Sequence, residues 1–175
     1  RIGTDEEGVR TTQSNLANTY RALGRFEEAL SLRRDVYSAT LNLFGSDDGD
    51  ALLEANNYGN CLLQLKRFEE VRALSRKMIP VARRVLGEND DLTLRMRWIY
   101  AQSLYLDDDA TLDDLREAVS TLEEIERTAR RVMGGAHPLT EGIEDDLQHA
   151  RALLRARETA LAEALADMRV AGDEG

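Results

Sequence analysis

The sequence predicts an all-α solenoid of stacked antiparallel helix pairs, closed by a long C-terminal capping helix. Three observations carry that prediction. The stretch from Asn15-Leu16-Ala17-Asn18 to Gly24-Arg25-Phe26-Glu27-Glu28-Ala29 returns 42 residues later as Asn57-Tyr58-Gly59-Asn60 to Lys66-Arg67-Phe68-Glu69-Glu70-Val71, the period of stacked helical hairpins. Apolar residues recur at helical spacing within each copy. The 175 residues also hold only two prolines, Pro80 and Pro138, which leaves long stretches open to helix.

The lattice is marked by Gly3, Gly45 and Gly87, 42 residues apart. A fourth mark, Gly134, ends the segment Arg130-Arg131-Val132-Met133-Gly134, which reads like Arg83-Arg84-Val85-Leu86-Gly87 but lies 47 residues on. Five residues are therefore inserted, and the acidic stretch Asp107-Asp108-Asp109-Ala110-Thr111 is where they fit. Repeats are expected at about 4–45, 46–87 and 88–134, with the capping helix at about 138–169, all within one elongated domain spanning 1–175. The opening Arg1-Ile2-Gly3 matches the end of a repeat, Leu43-Phe44-Gly45, and reads as a fragment or processed product.

Within repeat one, Leu16, Ala17, Tyr20 and Leu23 define the apolar stripe of the first helix, and Ala29, Leu32 and Val36 that of the second. Gly24 closes the first helix with positive φ, and Phe26 then enters the hairpin core. Lys66 replaces that glycine in repeat two, so a slightly different turn is expected there. Ala17, Ala29, Gly59, Val71, Ala101 and Ala118 are small or compact where helices approach most closely. Pro80 cannot donate to the carbonyl of Arg76, so a kink or short break is expected in the second helix of repeat two. In the final helix, Gln148 and Arg151 replace Ala101 and Leu104, which marks a cap with a solvated outer face from Thr140 to about Met168. Gly172 to Gly175 should fray.

Composition narrows the function. Thirty-three acidic against 23 basic side chains give a net charge of −10, which disfavours nucleic acid and anionic membrane as partners. The pairs Arg33-Arg34, Arg83-Arg84 and Arg130-Arg131 fall in second helices and read as solvated faces with paired carboxylates. Cys61 is the single cysteine, which excludes an intrachain disulfide, favours a cytoplasmic setting and suits a small core residue. No apolar run is long enough to span a bilayer and no signal-peptide pattern opens the chain. With two histidines, His137 and His149, and no phosphate loop, metal-ligand spacing or nucleophile-base arrangement, neither enzyme, cofactor nor metal site is expected. The Asp107 to Asp109 run lacks the ligand spacing of a calcium loop and reads as a solvated connection.

The pattern Asn-Leu-Ala-x-x-Tyr-x-x-Leu-Gly-Arg-Phe-Glu-Glu-Ala at Asn15 to Ala29 resembles the tetratricopeptide repeat. The 42-residue spacing, the pair Asn56-Asn57, and the turn Gly-Gly-Ala-His-Pro-Leu-Thr at 134–140 resemble its kinesin light chain variety, over about residues 3–145. That resemblance implies a right-handed superhelix in which the first helix of each pair lines a concave groove. The positions out of phase with the hairpin stripe are then Thr11, Ser14, Asn18 and Arg21 in repeat one, and Leu53, Asn56, Asn60 and Gln64 in repeat two. Repeat three offers Arg95, Trp98, Gln102 and Tyr105, and the cap adds Asp145 and His149.

Such a groove suits an extended peptide. Asn and Gln can pair with both N–H and C=O of a partner backbone, Trp98 and Tyr105 supply apolar anchors, and Arg21 and Arg95 can meet a carboxylate. The expected function is a non-enzymatic scaffold or adaptor for a protein or peptide partner. The alternative is a structural subunit held through its outer faces or its exposed first repeat.

Overall fold

The computed structural model describes residues 2–173, with side chains from 7 to 169. The described residues form seven helices and no strand: α1 (Ile2–Ala22), α2 (Phe26–Phe44), α3 (Gly49–Gln64), α4 (Phe68–Val85), α5 (Asp91–Tyr105), α6 (Leu112–Met133) and α7 (Pro138–Asp173). They fall into two compact units, Arg1–Ser103 and Leu104–Gly175, with the division inside the last turn of α5.

In the first unit α1 packs on α2, α2 on α3, and α3 on α4. The expected close-approach residues are buried: Ala17, Ala29, Val71 and Ala101 are at most 1% exposed, and a Cβ at Gly59 would sit 3.6 Å from Leu74 and 3.9 Å from Ile99. One core cluster joins Ala29, Leu30, Cys61, Leu62, Val71 and Ile99, and a second joins Tyr37, Leu52, Ala55, Met78, Ala82 and Met96. Fully burying a side chain such as Leu52, Leu62 or Met78 contributes roughly 1.5–3 kcal/mol. Cys61 is a core residue, and burial pushes its thiol above the usual range.

The stripe expected on α1 is only partly in the core. Ala17 is buried and Tyr20 half-buried, but Leu16 and Leu23 are 40% and 66% exposed. Phe26 is half-buried, whereas its counterpart Phe68 is buried. Gly3 lies inside α1, so the first lattice mark is helical, unlike Gly45, Gly87 and Gly134, whose φ values are 85°, 99° and 90°.

The turns repeat more faithfully than their residues. Gly24 has φ 73°, and the Arg25 N–H donates back to the Tyr20 carbonyl at 2.9 Å. Lys66 has φ 56°, and the Arg67 N–H donates to the Leu62 carbonyl at 2.9 Å. The expected difference between the two turns is absent, because Lys66 accepts the left-handed conformation that the helix-closing hydrogen bond requires. Pro80 does not break α4, which runs on through Val85, with Pro80 itself exposed.

Helix starts keep the register as well. Asp48, Asp90 and His137 occupy one lattice position, and each accepts an N–H from two residues on: Asp50 to Asp48 at 2.9 Å, Leu92 to Asp90 at 2.9 Å, and Leu139 to His137 Nδ1 at 3.2 Å. These bonds satisfy donors that the first turn leaves open. Thr111 and Asp114 form a reciprocal capping box at the start of α6.

In the second unit α6 lies along α7. Leu115, Ala118, Leu122, Ile125 and Ala129 alternate at three and four residues on α6 and meet Leu139, Ile143, Leu147 and Ala150 of α7. Ion pairs Arg130–Glu144 (3.0 Å), Arg151–Glu123 (2.7 Å) and Arg116–Glu158 (3.1 Å) rim the contact. The insertion divides between a longer α5–α6 connection and a longer helix, since α6 has 22 residues where α4 has 18. Helix α7 runs 36 residues, and all side chains from 155 to 169 are exposed, as a cap with a solvated outer face requires.

Candidate interaction surface

The sequence places its candidate residues on α1, α3 and α5, and the structure treats them unequally. Ser14 and Asn18 are held by a buried cation. Arg33, 5% exposed, projects from α2 and donates to Ser14 Oγ at 3.2 Å, Glu54 Oε2 at 3.0 Å and Asn18 Oδ1 at 2.6 Å. Ser14 Oγ in turn donates to Glu54 Oε1 at 3.0 Å. This cluster ties α1, α2 and α3 together, and it corrects the reading of Arg33 as part of a solvated face. A guanidinium in the interior needs its donors met and its charge paired. Arg34 beside it is exposed, as expected.

One signal for this was in the sequence. Ala29, Arg33, Val36 and Thr40 recur at helical spacing, so Arg33 occupies an interior register position of α2, and all four are buried. Arg72 on α4 is a second interior arginine, its guanidinium donating to the Ser103 carbonyl at 2.7 Å and to Glu69 at 2.7 Å.

The repeat-two candidates are less committed to other helices. Asn60 is half-buried and donates only along its own helix, to the Asn56 carbonyl at 3.1 Å. Asn56 is 7% exposed and its Oδ1 has no partner, while Gln64 is exposed. On α5, Arg95 is exposed and pairs with Asp91 at 2.6 Å, and Trp98 and Gln102 are half-buried. Arg21 is exposed at the end of α1. Thr11, Ser14 and Leu53 come together around a cleft of about 220 Å3, with Glu7, Arg10, Asp50 and Glu54 on its walls.

Tyr105 belongs to the second unit and is 3% exposed, so it is not an accessible anchor. Its ring meets His149 edge-on at 5.5 Å. Burial, and then a hydrogen bond with Asp146, hold its phenol well above the ordinary range. Tyr105 and His149 border a cleft of about 300 Å3 with Leu106, Asp107, Asp108 and Arg157. His137 serves α7 as a cap, and no group of three His, Cys, Asp or Glu side chains converges among the described residues. No described helix is long and apolar enough to cross a membrane.

Residues 8–77 match the family model of the tetratricopeptide repeat. The fold is similar to that of a solved structure described as a putative kinesin light chain from Podosopora anserina with nearly identical TPR-like repeats, at TM-score 0.72 and 17% identity, covering 82% of this chain and 65% of that one. It is also similar to BtubC (BKLC) from P. vanneervenii, at TM-score 0.63 and 17% identity, covering 89% of this chain and 64% of that one. The chain thus spans just under two thirds of the length of either structure. No curated protein matches the sequence. Residues 8–77 thus carry tetratricopeptide repeats, and the all-helical fold is similar to that of these kinesin light chain-like repeat structures.

Proposed function

We propose that the chain is a non-enzymatic adaptor of the cytoplasm that takes an extended segment of a partner protein along the first-helix face of α3 and α5. Tetratricopeptide repeats generally mediate protein–protein interaction, and proteins built from them are typically scaffolds. The observation that carries the finer reading is Trp98. It stands half-exposed at the register position of Ser14 and Asn56, in line with Asn60 and Gln102 one turn on. An aromatic ring flanked by carboxamides can anchor a side chain while the amides pair with a peptide backbone. Arg21 and Gln64 extend the same face, and Arg95 offers a cation once Asp91 yields it. Ser14 and Asn18 support the face through Arg33.

The test is affinity capture from extract with the chain and with the Asn60→Ala/Trp98→Ala variant. Captured proteins should disappear from the variant while its helical circular dichroism is unchanged. Capture that survives the double change removes the groove reading. A second reading, a structural subunit held through its first repeat, draws on the exposed Val9, Leu16 and Leu23 of α1.

A further inference from the structure

We infer that the exposed side of α4 is a docking surface for an acidic segment of a partner protein. Neither reading above uses this face. Between Glu70 and Glu88 the chain carries Arg72, Arg76, Lys77, Arg83 and Arg84 and no carboxylate, within a protein of net charge −10. The matching stretch of α2 includes Asp35, and that of α6 includes Glu123, Glu124 and Glu126. Arg76 and Lys77 hold the register positions of Arg34 and Asp35 on α2 and of Glu123 and Glu124 on α6. Only on α4 are both of these positions cationic.

The fold leaves these two charges open. Arg76 and Lys77 are exposed and form no ion pair among the described residues. The residues three and four places from them, Arg72, Ala73, Leu74, Ile79, Pro80 and Val81, offer no carboxylate. Arg25, Arg67, Arg95, Arg116 and Arg130 each meet one at that spacing. Arg83 and Arg84 sit in the last turn of α4, where the helix dipole accounts for cations, but Arg76 and Lys77 lie earlier, beyond its reach. Ala73, Lys77, Pro80 and Arg84 recur at intervals of four, three and four and are all exposed, so they share one side of the helix. Arg84 meets Asp47 at 2.6 Å with side chains 64% and 60% exposed, a pair that a competing carboxylate can replace. Lys77 and Arg84 are about 10 Å apart along the axis, which an extended chain covers in about three residues. The occupant is therefore a short extended segment with carboxylates three residues apart and an apolar residue between them over Pro80. Pro80 brings no N–H, so the Arg76 carbonyl lacks its usual donor and can accept one from that segment. A patch of this length on a chain of net charge −10 suits such a segment better than RNA or an anionic membrane, whose extended charge the rest of the protein repels.

The probe is a dye-labelled peptide of three Glu-Leu-Glu units, offered to the full 175-residue chain at low salt and followed by fluorescence anisotropy. Saturable binding is expected, weakening as salt is added. Arg76→Glu/Lys77→Glu should weaken it about tenfold or more, since two attractions are lost and two repulsions gained. Asp47→Asn should tighten it a few-fold by freeing Arg84. Arg155→Glu/Arg169→Glu on α7 changes the net charge by the same amount and should leave the affinity within about twofold. Arg76 and Lys77 are exposed, so the thermal melt of their variant should stay near that of the parent. No binding at low salt, or equal losses in the two double variants, overturns the inference. Binding of phosphatidylserine vesicles or single-stranded RNA that depends on Arg76 and Lys77 while the peptide goes unbound overturns it too, since the occupant would then be a membrane or a nucleic acid.

Discussion

Asn18 on α1 and Asn60 on α3 stand 42 residues apart at one register position, and the structure uses them for different ends. Asn18 accepts a 2.6 Å hydrogen bond from the buried Arg33, inside a cluster that joins three helices. Asn60 bonds only to its own helix. The cause lies on another element: the position equivalent to Arg33 in repeat two is Ser75, which brings no charge to be paired. Repeat one therefore commits Ser14 and Asn18 to a cluster between helices, whereas Asn60 of repeat two pairs only within α3. A repeat register fixes which side of a helix a residue faces, while the residue opposite decides what it does there.

The comparison can be broken most sharply at Glu54. Glu54→Ala strips the buried Arg33 of its only carboxylate, and stability should fall by about 3 kcal/mol, near the low end for such losses because Ser14 and Asn18 remain. Asn60→Ala should change it by only about 0.5 kcal/mol. Chemical denaturation of both variants is the measurement, and equal losses would mean that the Arg33 cluster stabilises the fold no more than Asn60 does.

The joint between the two repeats offers a pH handle. Tyr37 of α2 and Tyr58 of α3 stack across it, and burial raises both phenols above their ordinary value. Because the unfolded phenol ionises first, near pH 10, their contribution is fully present below about pH 10 and is lost as pH rises through the folded values. Thermal melts should begin to fall above about pH 9, where the unfolded thiol of the buried Cys61 ionises, and fall further above about pH 10, with a shallower drop there in Tyr58→Phe. A profile that stays level into strong base would show that the pair does not titrate with folding.

The closing turns sharpen the comparison with a sign change. Gly24→Ala places a Cβ at φ 73° and should destabilise by about 1 kcal/mol, whereas Lys66→Gly relieves φ 56° and should stabilise by a similar amount. If both changes destabilise, the two turns are not the same structure. The smallest effect belongs to the helix caps. His137→Asp gives α7 the cap that Asp48 and Asp90 give α3 and α5, and should raise the melting temperature modestly, on the order of 0.5 kcal/mol. A lower melting temperature would show that His137 does more than cap.

Much of the fold was legible in particular residues. The 42-residue echo located the hairpins, and the glycines at 45, 87 and 134 do mark positive-φ helix ends. The insertion was legible in length but not in place, because a loop and a helix can share it at little cost. The candidate surface was harder to read. Tyr105 reads as an anchor by register, yet its neighbours in the second unit bury it. Leu16 and Leu23 read as core, yet both are exposed.

The sequence by itself determined the helices, their caps and turns and the period on which they repeat. These depend on apolar spacing and on hydrogen bonds between residues a few positions apart. Only the tertiary structure decided that Arg33 is buried, that Asn18 serves it while Asn60 does not, and that Lys66 takes a glycine's conformation. Each of those outcomes balances desolvation or backbone strain against partners brought in by packing, and a local pattern does not contain that balance.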